Sequence, residues 1–226
     1  MTPLHYETKK LFYNNYLYKI SIINQLSDLF RKKDLKFVKA EIDILFGKLE
    51  NQAELTLVHY LRYRHISEND LLVAKKIWKY LINVKNNTEY KLRIQHPTMT
   101  FYTNDTDFID GIASLVDDYC EIWKPNEDNI DILKNNKDII IVNKPTEYEL
   151  KATFVNQNIS SLVNWIEQNP DKVKAGRTLM EVAKRSSYIE GLYIYVRDEK
   201  ILQLISLMGI KFRKVEKLVY IQNLDK

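Results

Sequence analysis

The sequence predicts an α+β protein with two lobes, each a β-sheet with helices packed on it. Stretches with the two-residue period of strands alternate with stretches that have the period of amphipathic helices. The composition, 45% apolar residues in a chain of 226, is that of a globular protein with a substantial core. A third observation is an internal similarity between residues 101–116 and 194–209.

The first elements alternate between strand and helix patterns. Residues 10–23 are rich in Tyr, Phe and Ile and predict two short strands or a hairpin. Apolar residues recur at helical spacing across 35–49 and predict a long amphipathic helix. Residues 57–65 alternate in the manner of one strand. Ser67 and Asp70 have the spacing of a capping box, which predicts the start of a second helix.

The rest of the chain continues this alternation. Residues 90–96 and 99–103 predict strands separated by Pro97, and Asp105 and Asp107 precede a third helix. Residues 125–137 predict an acidic, Asn-rich connection. Further strands are predicted at 120–123, 138–143, 147–155, 191–196 and 211–220, and further helices at 159–166, 177–187 and 198–208.

The internal similarity allows two interpretations. Residues 101–116 (FYTNDTDFIDGIASLV) and 194–209 (IYVRDEKILQLISLMG) align without gaps as a strand, an Asp and a helix with the same apolar phase. A diverged duplication of a ferredoxin-like or RRM-like unit would explain this. Independent use of Asp as a helix cap would also explain it. The identical pairs are Tyr102 with Tyr195, Asp105 with Asp198 and Ile112 with Ile205.

Charge is distributed unevenly and sets the predicted domain boundary. Residues 97–138 hold ten acids against three Lys, a balance of −7. Residues 1–96 hold 17 cations against 10 acids, and residues 139–226 hold 14 against 10, which gives +7 and +4. We therefore expect a basic N-terminal lobe at 1–96 and a C-terminal lobe at 97–226 that contains the acidic segment 97–138. One compact domain is the alternative.

Several classes of function find no signature in the sequence. The one cysteine, Cys120, excludes an internal disulfide framework, and no Gly-rich phosphate loop or Gly-x-Ser-x-Gly elbow occurs. We assign no catalytic residue, no metal ligand and no cofactor. The first ten residues lack an apolar signal core, and no stretch approaches about 20 apolar residues. We expect a cytoplasmic protein that does not contact membranes. Its Asn-, Lys- and Ile-rich composition suggests a phage or mobile-element gene.

Two groups of cations with neighbouring aromatic residues predict a nucleic-acid-binding surface. Aromatic rings on an open sheet face stack on unpaired bases while cations neutralise phosphates. An ordinary solvated sheet face or a Lys-protected edge strand is the alternative. The first group lies on the strands predicted at 57–65 and 90–96, and the second lies along the last strand. The candidates are Tyr60, Arg62, Arg64, Lys91 and Arg93, followed by Lys211, Arg213 and Lys217.

Two other functions remain open at this stage. The acids between 105 and 128 could serve a metal-dependent nuclease, provided that they converge. A structural or adaptor protein could form homo-oligomers by docking the acidic segment on a basic lobe of another copy. The partner would then be a charged protein surface instead of nucleic acid. His59 and His65 lack paired metal-ligand spacing, and His5 is expected in a flexible tail.

Overall fold

The computed structural model describes residues 3–59, 62–84, 88–116 and 119–221, with the backbone alone for 57–59 and 62–64. The chain divides between Lys134 and Asn135 into two compact units, each with its own five-stranded sheet and helices. The α+β prediction is therefore confirmed. The division does not fall at 96/97 as charge suggested, because the strands on both sides of Pro97 pair with each other.

The N-terminal unit contains seven strands and three complete helices in its described part. The strands are β1 (Leu4–Glu7), β2 (Tyr18–Ile23), β3 (Thr56–His59), β4 (Arg62–His65), β5 (Tyr90–Gln95), β6 (Thr98–Thr103) and β7 (Cys120–Lys124). The helices are α1 (Leu35–Glu50), α2 (Glu68–Asn83) and α3 (Thr106–Ala113), with 3-10 turns at Ser27–Lys32 and Glu127–Asn129. A short helix, α4 (Ile130–Asn135), spans the division between the units and occupies part of the predicted acidic connection.

Alternating burial shows which side of the N-terminal sheet forms the core. The strand order is β1-β7-β2-β6-β5, with β1 parallel to β7 and the other pairs antiparallel. Ile20, Ile22 and Phe101 are fully buried on one side, where the ring centroid of Phe108 on α3 lies 5.8 Å from that of Phe101. Residues at the alternate positions must point to the opposite side, because side chains of a strand alternate between its two faces.

Two predictions in this unit are wrong. Residues 57–65 are not one strand: β3 and β4 form a separate two-stranded antiparallel sheet. His5 is not in a flexible tail, because it lies on β1 in register with Ile122. β4, which carries Arg62 and Arg64, lies outside the sheet in which β5 pairs with β6. The capping box at Ser67 and Asp70 is confirmed, as is the Asp105 cap of α3.

The C-terminal unit has the predicted succession of strands and helices, with three additional short strands. The strands are β8 (Ile139–Val142), β9 (Leu150–Phe154), β10 (Gln157–Asn158), β11 (Val173–Ala175), β12 (Tyr188–Ile189), β13 (Tyr193–Val196) and β14 (Phe212–Tyr220). The helices are α5 (Ser160–Gln168), α6 (Arg177–Lys184) and α7 (Glu199–Leu207). All three helices contribute buried residues to one apolar cluster with Ala152, Phe154 and Ile194 of the sheet.

The two five-stranded sheets have the same topology. The C-terminal order is β8-β14-β9-β13-β11, with β8 parallel to β14 and the other pairs antiparallel. This order matches β1-β7-β2-β6-β5 strand for strand, in chain order and in direction. The similar segments 101–116 and 194–209 therefore occupy equivalent elements, β6–α3 and β13–α7. Phe101 and Ile194 are both fully buried, and so are Ile112 and Ile205.

Candidate nucleic-acid interface

The side of the N-terminal sheet opposite α3 carries a mixture of aromatic and basic side chains. We call this side the N-terminal face. It is defined by the strand positions that alternate with the core, which are Leu4 and Tyr6 on β1, Glu121 and Trp123 on β7, Lys19, Ser21 and Ile23 on β2, Thr98, Thr100 and Tyr102 on β6, and Lys91, Arg93 and Gln95 on β5. Three cations and one carboxylate therefore lie on this face.

A row of three residues crosses the centre of the N-terminal face. Tyr102 on β6 is in register with Lys19 on one neighbouring strand and with Lys91 on the other. Tyr13, from the segment before β2, lies edge-on against Tyr102 with ring centroids 4.9 Å apart. The Nζ atom of Lys91 lies 3.5 Å from the centroid of Tyr13. Tyr102 is only 6% exposed, because Tyr13 and the neighbouring Phe12 cover it.

Tyr13 holds this position through an uncommon backbone conformation. Phe12 and Tyr16 pair across a tight turn, and the intervening Tyr13 and Asn14 have φ of 54° and 56°. A bulky side chain rarely adopts positive φ, so this conformation needs support from its surroundings. The contacts of Tyr13 with Tyr102 and Lys91 supply that support. Tyr13 as a residue is 46% exposed, which leaves it accessible to a planar ligand.

A second aromatic group lies towards the β1 edge of the same face. Tyr6 stacks on Trp123 with ring centroids 4.8 Å apart and planes inclined by 20°. The Nζ atom of Lys19 lies 3.3 Å from the Trp123 ring centroid, a cation–π contact. Tyr6 is 42% exposed, so its outer side is open to solvent. The face thus presents two accessible rings, Tyr6 and Tyr13, with Lys19 between their groups.

Burial and neighbouring side chains shift the pKa values of three residues on the N-terminal face, Tyr102, Lys19 and Arg93. Desolvation by burial, with added contributions from Tyr13, raises the pKa of Tyr102 to about 12. Desolvation lowers the pKa of Lys19, and Glu121 partly opposes that shift. A side-chain hydrogen bond with Tyr13 raises the pKa of Arg93. These shifts favour the neutral form of Tyr102 and the charged form of Arg93, which suits contact with an anion.

The structure brings together only part of the first predicted group. Lys91 and Arg93 both lie on the N-terminal face, on β5. Arg62 and Arg64 lie on β4, in the separate β3–β4 hairpin, and their side chains are outside the described part. Tyr60 falls outside the described residues. Within the first predicted group, a shared sheet face is therefore seen for Lys91 and Arg93 alone.

The second predicted group does not form one side of its strand. Phe212 and Val215 both pack against the core, because the register of β14 with β9 shifts between Phe212 and Lys214. This β-bulge inserts one extra residue and reverses the side-chain phase of the strand that follows it. Lys217 therefore lies on the core side of β14, in register with Leu150, whereas the bulge contains Arg213. Lys211 precedes the strand, where its backbone bonds with the side chain of Gln157.

Two of the described acids of the 105–128 segment, Asp105 and Asp110, have structural roles. Asp105 caps α3 by accepting from the backbone N–H groups of Asp107 and Phe108. Asp110 forms an ion pair with Lys124 at 2.7 Å. Among the described residues, no group of three His, Cys, Asp or Glu side chains is placed to hold a metal ion. Asp117 and Asp118 lie outside the described part.

Ser27, Asp28 and His96 lie together without forming a nucleophilic triad. The Nδ1 atom of His96 is 3.1 Å from Oδ2 of Asp28 and 3.3 Å from Oγ of Ser27. A triad requires the serine and the acid to contact different ring nitrogens. Both contacts here converge on one nitrogen. Cys120 is buried, and burial raises the pKa of its thiol, which opposes a nucleophilic role.

Four residues of the N-terminal face were missed by the sequence analysis: Tyr6, Tyr13, Lys19 and Trp123. The alternation of β2 contained a usable signal for Lys19, since it lies between the apolar residues Tyr18 and Ile20. No local pattern could identify Tyr6 and Trp123 as partners, because β1 and β7 are separated by most of the N-terminal unit.

Comparisons with known proteins do not assign the chain to a class. No protein-family model matches it, and no match was found among curated proteins or solved structures. Within the described part of the chain, none of the helices combines the length and the apolar character needed to span a bilayer.

Proposed function

We propose that the protein binds single-stranded nucleic acid on the N-terminal face. The observation that carries the proposal is the juxtaposition of two accessible aromatic rings, Tyr6 and Tyr13, with Lys19, Lys91 and Arg93 on one sheet surface. Rings stack on bases of any sequence, and cations neutralise the phosphates between them. Single strands are favoured over duplexes, because only unpaired bases expose a ring face for stacking.

The proposal extends to the fold and its origin. Without the edge strands β1 and β8, each unit is a β–α–β–β–α–β sequence whose strands lie in the order fourth, first, third, second. This arrangement supports assigning each unit to the ferredoxin-like or RRM-like type. The shared topology and the equivalent placement of Tyr102 with Tyr195 favour a duplication over separate origins. An intracellular location and a phage or mobile-element source remain predictions from composition.

The two alternative functions have less support. A metal-dependent nuclease would need converging acids, whereas Asp105 and Asp110 already serve a helix cap and an ion pair. Assembly through charged lobes remains a prediction, because no described feature favours a second copy over another partner.

Binding can be tested by fluorescence anisotropy with labelled oligothymidylate and oligouridylate of about 12 nucleotides, a length within the usual site sizes. The Lys91→Ala, Arg93→Ala double variant should weaken binding and reduce the salt slope by about 0.7 for each phosphate that the protein no longer neutralises. The matched control is Lys36→Ala, Lys79→Ala, which removes two exposed lysines from α1 and α2. The salt dependence of binding by this control should equal that of the wild type.

The stacking part of the proposal has its own variant. Tyr13→Leu keeps an apolar side chain but removes the ring, and should weaken binding about tenfold, since stacking contributes about 1–3 kcal/mol per base. The effect should be similar for both oligonucleotides and smaller for a duplex. No detectable binding to either oligonucleotide at low salt, or equally weakened binding in the two double variants, would refute the proposal.

A further inference from the structure

The C-terminal sheet repeats the central row of the N-terminal face. Tyr195 on β13 is in register with Lys151 on β9 and with Lys174 on β11. These are the equivalents of Tyr102, Lys19 and Lys91, since β13, β9 and β11 correspond to β6, β2 and β5. A Lys–Tyr–Lys row therefore crosses three equivalent strands in both units. Helix capping explains the shared Asp residues, but it does not explain this row.

We propose that this second surface, the C-terminal face, is another binding site for single-stranded nucleic acid. It is formed by Lys151, Lys174, Tyr193, Tyr195, Lys214 and Glu216, on the side of the sheet opposite α5, α6 and α7. Three cations and one carboxylate lie on these strand positions, as on the N-terminal face. The inference rests on the proposed function, because the same chemistry is invoked for both faces.

Aromatic contacts on the C-terminal face reproduce those around Tyr102 with different residues. Tyr193 lies edge-on against Tyr195, with ring centroids 5.4 Å apart and planes inclined by 74°. The Nζ atom of Lys151 lies 3.9 Å from the centroid of Tyr193. Tyr13 and Lys91 make the corresponding contacts on the N-terminal face. A strand residue, Tyr193, thus takes the place of a turn residue, and its ring is 39% exposed.

The charges on the C-terminal face leave a positive surface for phosphates. Glu216 is almost completely buried, and its Oε1 atom lies 2.8 Å from Nζ of Lys214, which is also 3.8 Å from Oδ1 of Asp138. Lys214 therefore balances these carboxylates. Lys174 is exposed on the edge strand β11, in register with Tyr195. It can reach a phosphate without exposing a buried carboxylate that would lose its counter-charge. An extended strand with a base on Tyr193 and a phosphate at Lys174 fits this arrangement.

Stoichiometry with a short oligonucleotide separates the two sites. We would titrate the full chain at low salt with oligothymidylate and oligouridylate of about 4 nucleotides, too short to serve two faces together, and count bound equivalents by native mass spectrometry. Wild type should bind two. The Lys174→Ala, Tyr193→Leu variant and the Lys91→Ala, Arg93→Ala variant should each bind one, and their combination none.

The matched control is Lys200→Ala, Tyr188→Leu, which removes one exposed lysine and one exposed tyrosine of the same unit away from the five-stranded sheet. It should still bind two equivalents. Lys174→Gln, a milder change at an exposed position, should lower the salt dependence of the second equivalent, and it keeps the test valid if the double variant misfolds.

Every other result of the titration contradicts the inference, the N-terminal assignment, or both. Two equivalents in the Lys174→Ala, Tyr193→Leu variant would overturn the inference. One equivalent in wild type, abolished only when Lys91 and Arg93 are changed, would overturn the inference and leave the proposed function standing. One equivalent abolished only by changing Lys174 and Tyr193 would overturn the N-terminal assignment instead. No binding by wild type would refute both.

Discussion

In the N-terminal unit two long helices, α1 and α2, connect β2 to β5, whereas the single helix α5 connects the equivalent strands β9 and β11. The additional helix changes the surroundings of α3. Tyr80 of α2 packs on Phe108, and Phe108, Ile109 and Ile112 are all buried.

No second helix lies between β9 and β11 in the described part of the C-terminal unit, which contains the equivalent helix α7. Only Ile205 of α7 is buried, and Leu204 and Leu207 are 43% and 85% exposed. The apolar residues of α3 and α7 have the same spacing in sequence. The elements packed against each helix decide how many of these residues are buried. The shared topology thus buries one equivalent residue in each helix, Ile112 in α3 and Ile205 in α7. The elements that surround each helix decide whether its other apolar residues are also buried.

The largest expected effect tests the residues that the two units share. Ile112→Ala and Ile205→Ala should each destabilise their own unit by about 2–5 kcal/mol, because both side chains are fully buried. Native-state hydrogen exchange can measure this separately at the amides of β6 and β13. Unchanged exchange in either variant would show that the apolar phases of α3 and α7 are not equivalent.

Gly111 and Leu204 occupy equivalent positions of α3 and α7 and test the difference between the units. A Cβ atom at Gly111 would meet the hydroxyl end of Tyr80 at a distance far below van der Waals separation. Gly111→Ala should therefore destabilise the protein by up to about 2 kcal/mol, as overpacking outweighs the gain in helix propensity. Leu204→Ala should change stability by only about 0.5 kcal/mol or less, as expected for an exposed position.

Two controls sharpen the Gly111 test in urea unfolding. Gly47→Ala in α1, where an added Cβ has no neighbour within 4 Å, should stabilise the protein by about 0.5–1 kcal/mol. Gly111→Ala in a Tyr80→Leu background should lose most of its cost. A cost that persists without the Tyr80 ring would contradict the packing explanation.

The helix caps should show a smaller difference. Asp105 accepts hydrogen bonds from two backbone N–H groups and from the Thr88 hydroxyl, whereas Asp198 accepts one, from the N–H of Ile201. Caps contribute about 0.5–2 kcal/mol, so Asp105→Ala should lie near the upper value and Asp198→Ala near the lower. Thermal unfolding measures both. Asn at either position should retain most of the stability, and an equal loss with Asn would exclude capping as the cause.

The smallest expected effect concerns alkaline pH. The pKa of Tyr102 is about 12 in the folded protein against 10.0 for an unperturbed tyrosine, so the folded state keeps a proton that the unfolded state releases. The contribution of Tyr102 to the free energy of unfolding is fully present below pH 10, and it is lost as the pH rises towards 12. Tyr102→Phe should therefore reduce the decline in urea stability between about pH 10 and pH 12, the interval between the two pKa values. The exposed Tyr188→Phe serves as the control and should leave the decline unchanged.

Local patterns predicted most helices and the central strands, because caps and apolar periodicity lie within a few residues of each other. The Asp105 and Ser67 caps and the helix at 35–49 were found in this way. The parallel edge strand β1 was not found, since its partner β7 lies more than a hundred residues away. Charge misplaced the domain boundary, because the charge of a surface carries no information about strand pairing.

The candidate surface was predicted only in part for the same reason. Lys91 and Arg93 alternate within β5 and are visible locally, whereas Tyr13 reaches the sheet through a turn with positive φ that the sequence does not mark with Gly. The repeat of the Lys–Tyr–Lys row could not be seen in the one-dimensional alignment. Its lysines belong to strands outside the aligned segments and meet the tyrosines only through register.

The bulge in β14 has a consequence for how this strand tolerates changes of length. Arg213 is the extra residue between Phe212 and Lys214, so deleting it would leave Phe212 opposite Phe154 and Lys214 opposite Thr153 as consecutive pairs of a regular ladder. Phe212 would stay on the core side, and Lys214 and Glu216 would stay on the opposite side. A deletion at Val215 removes no extra residue and would turn Lys214 or Glu216 towards the core. The strand should therefore tolerate the loss of one residue at 213 but not farther along.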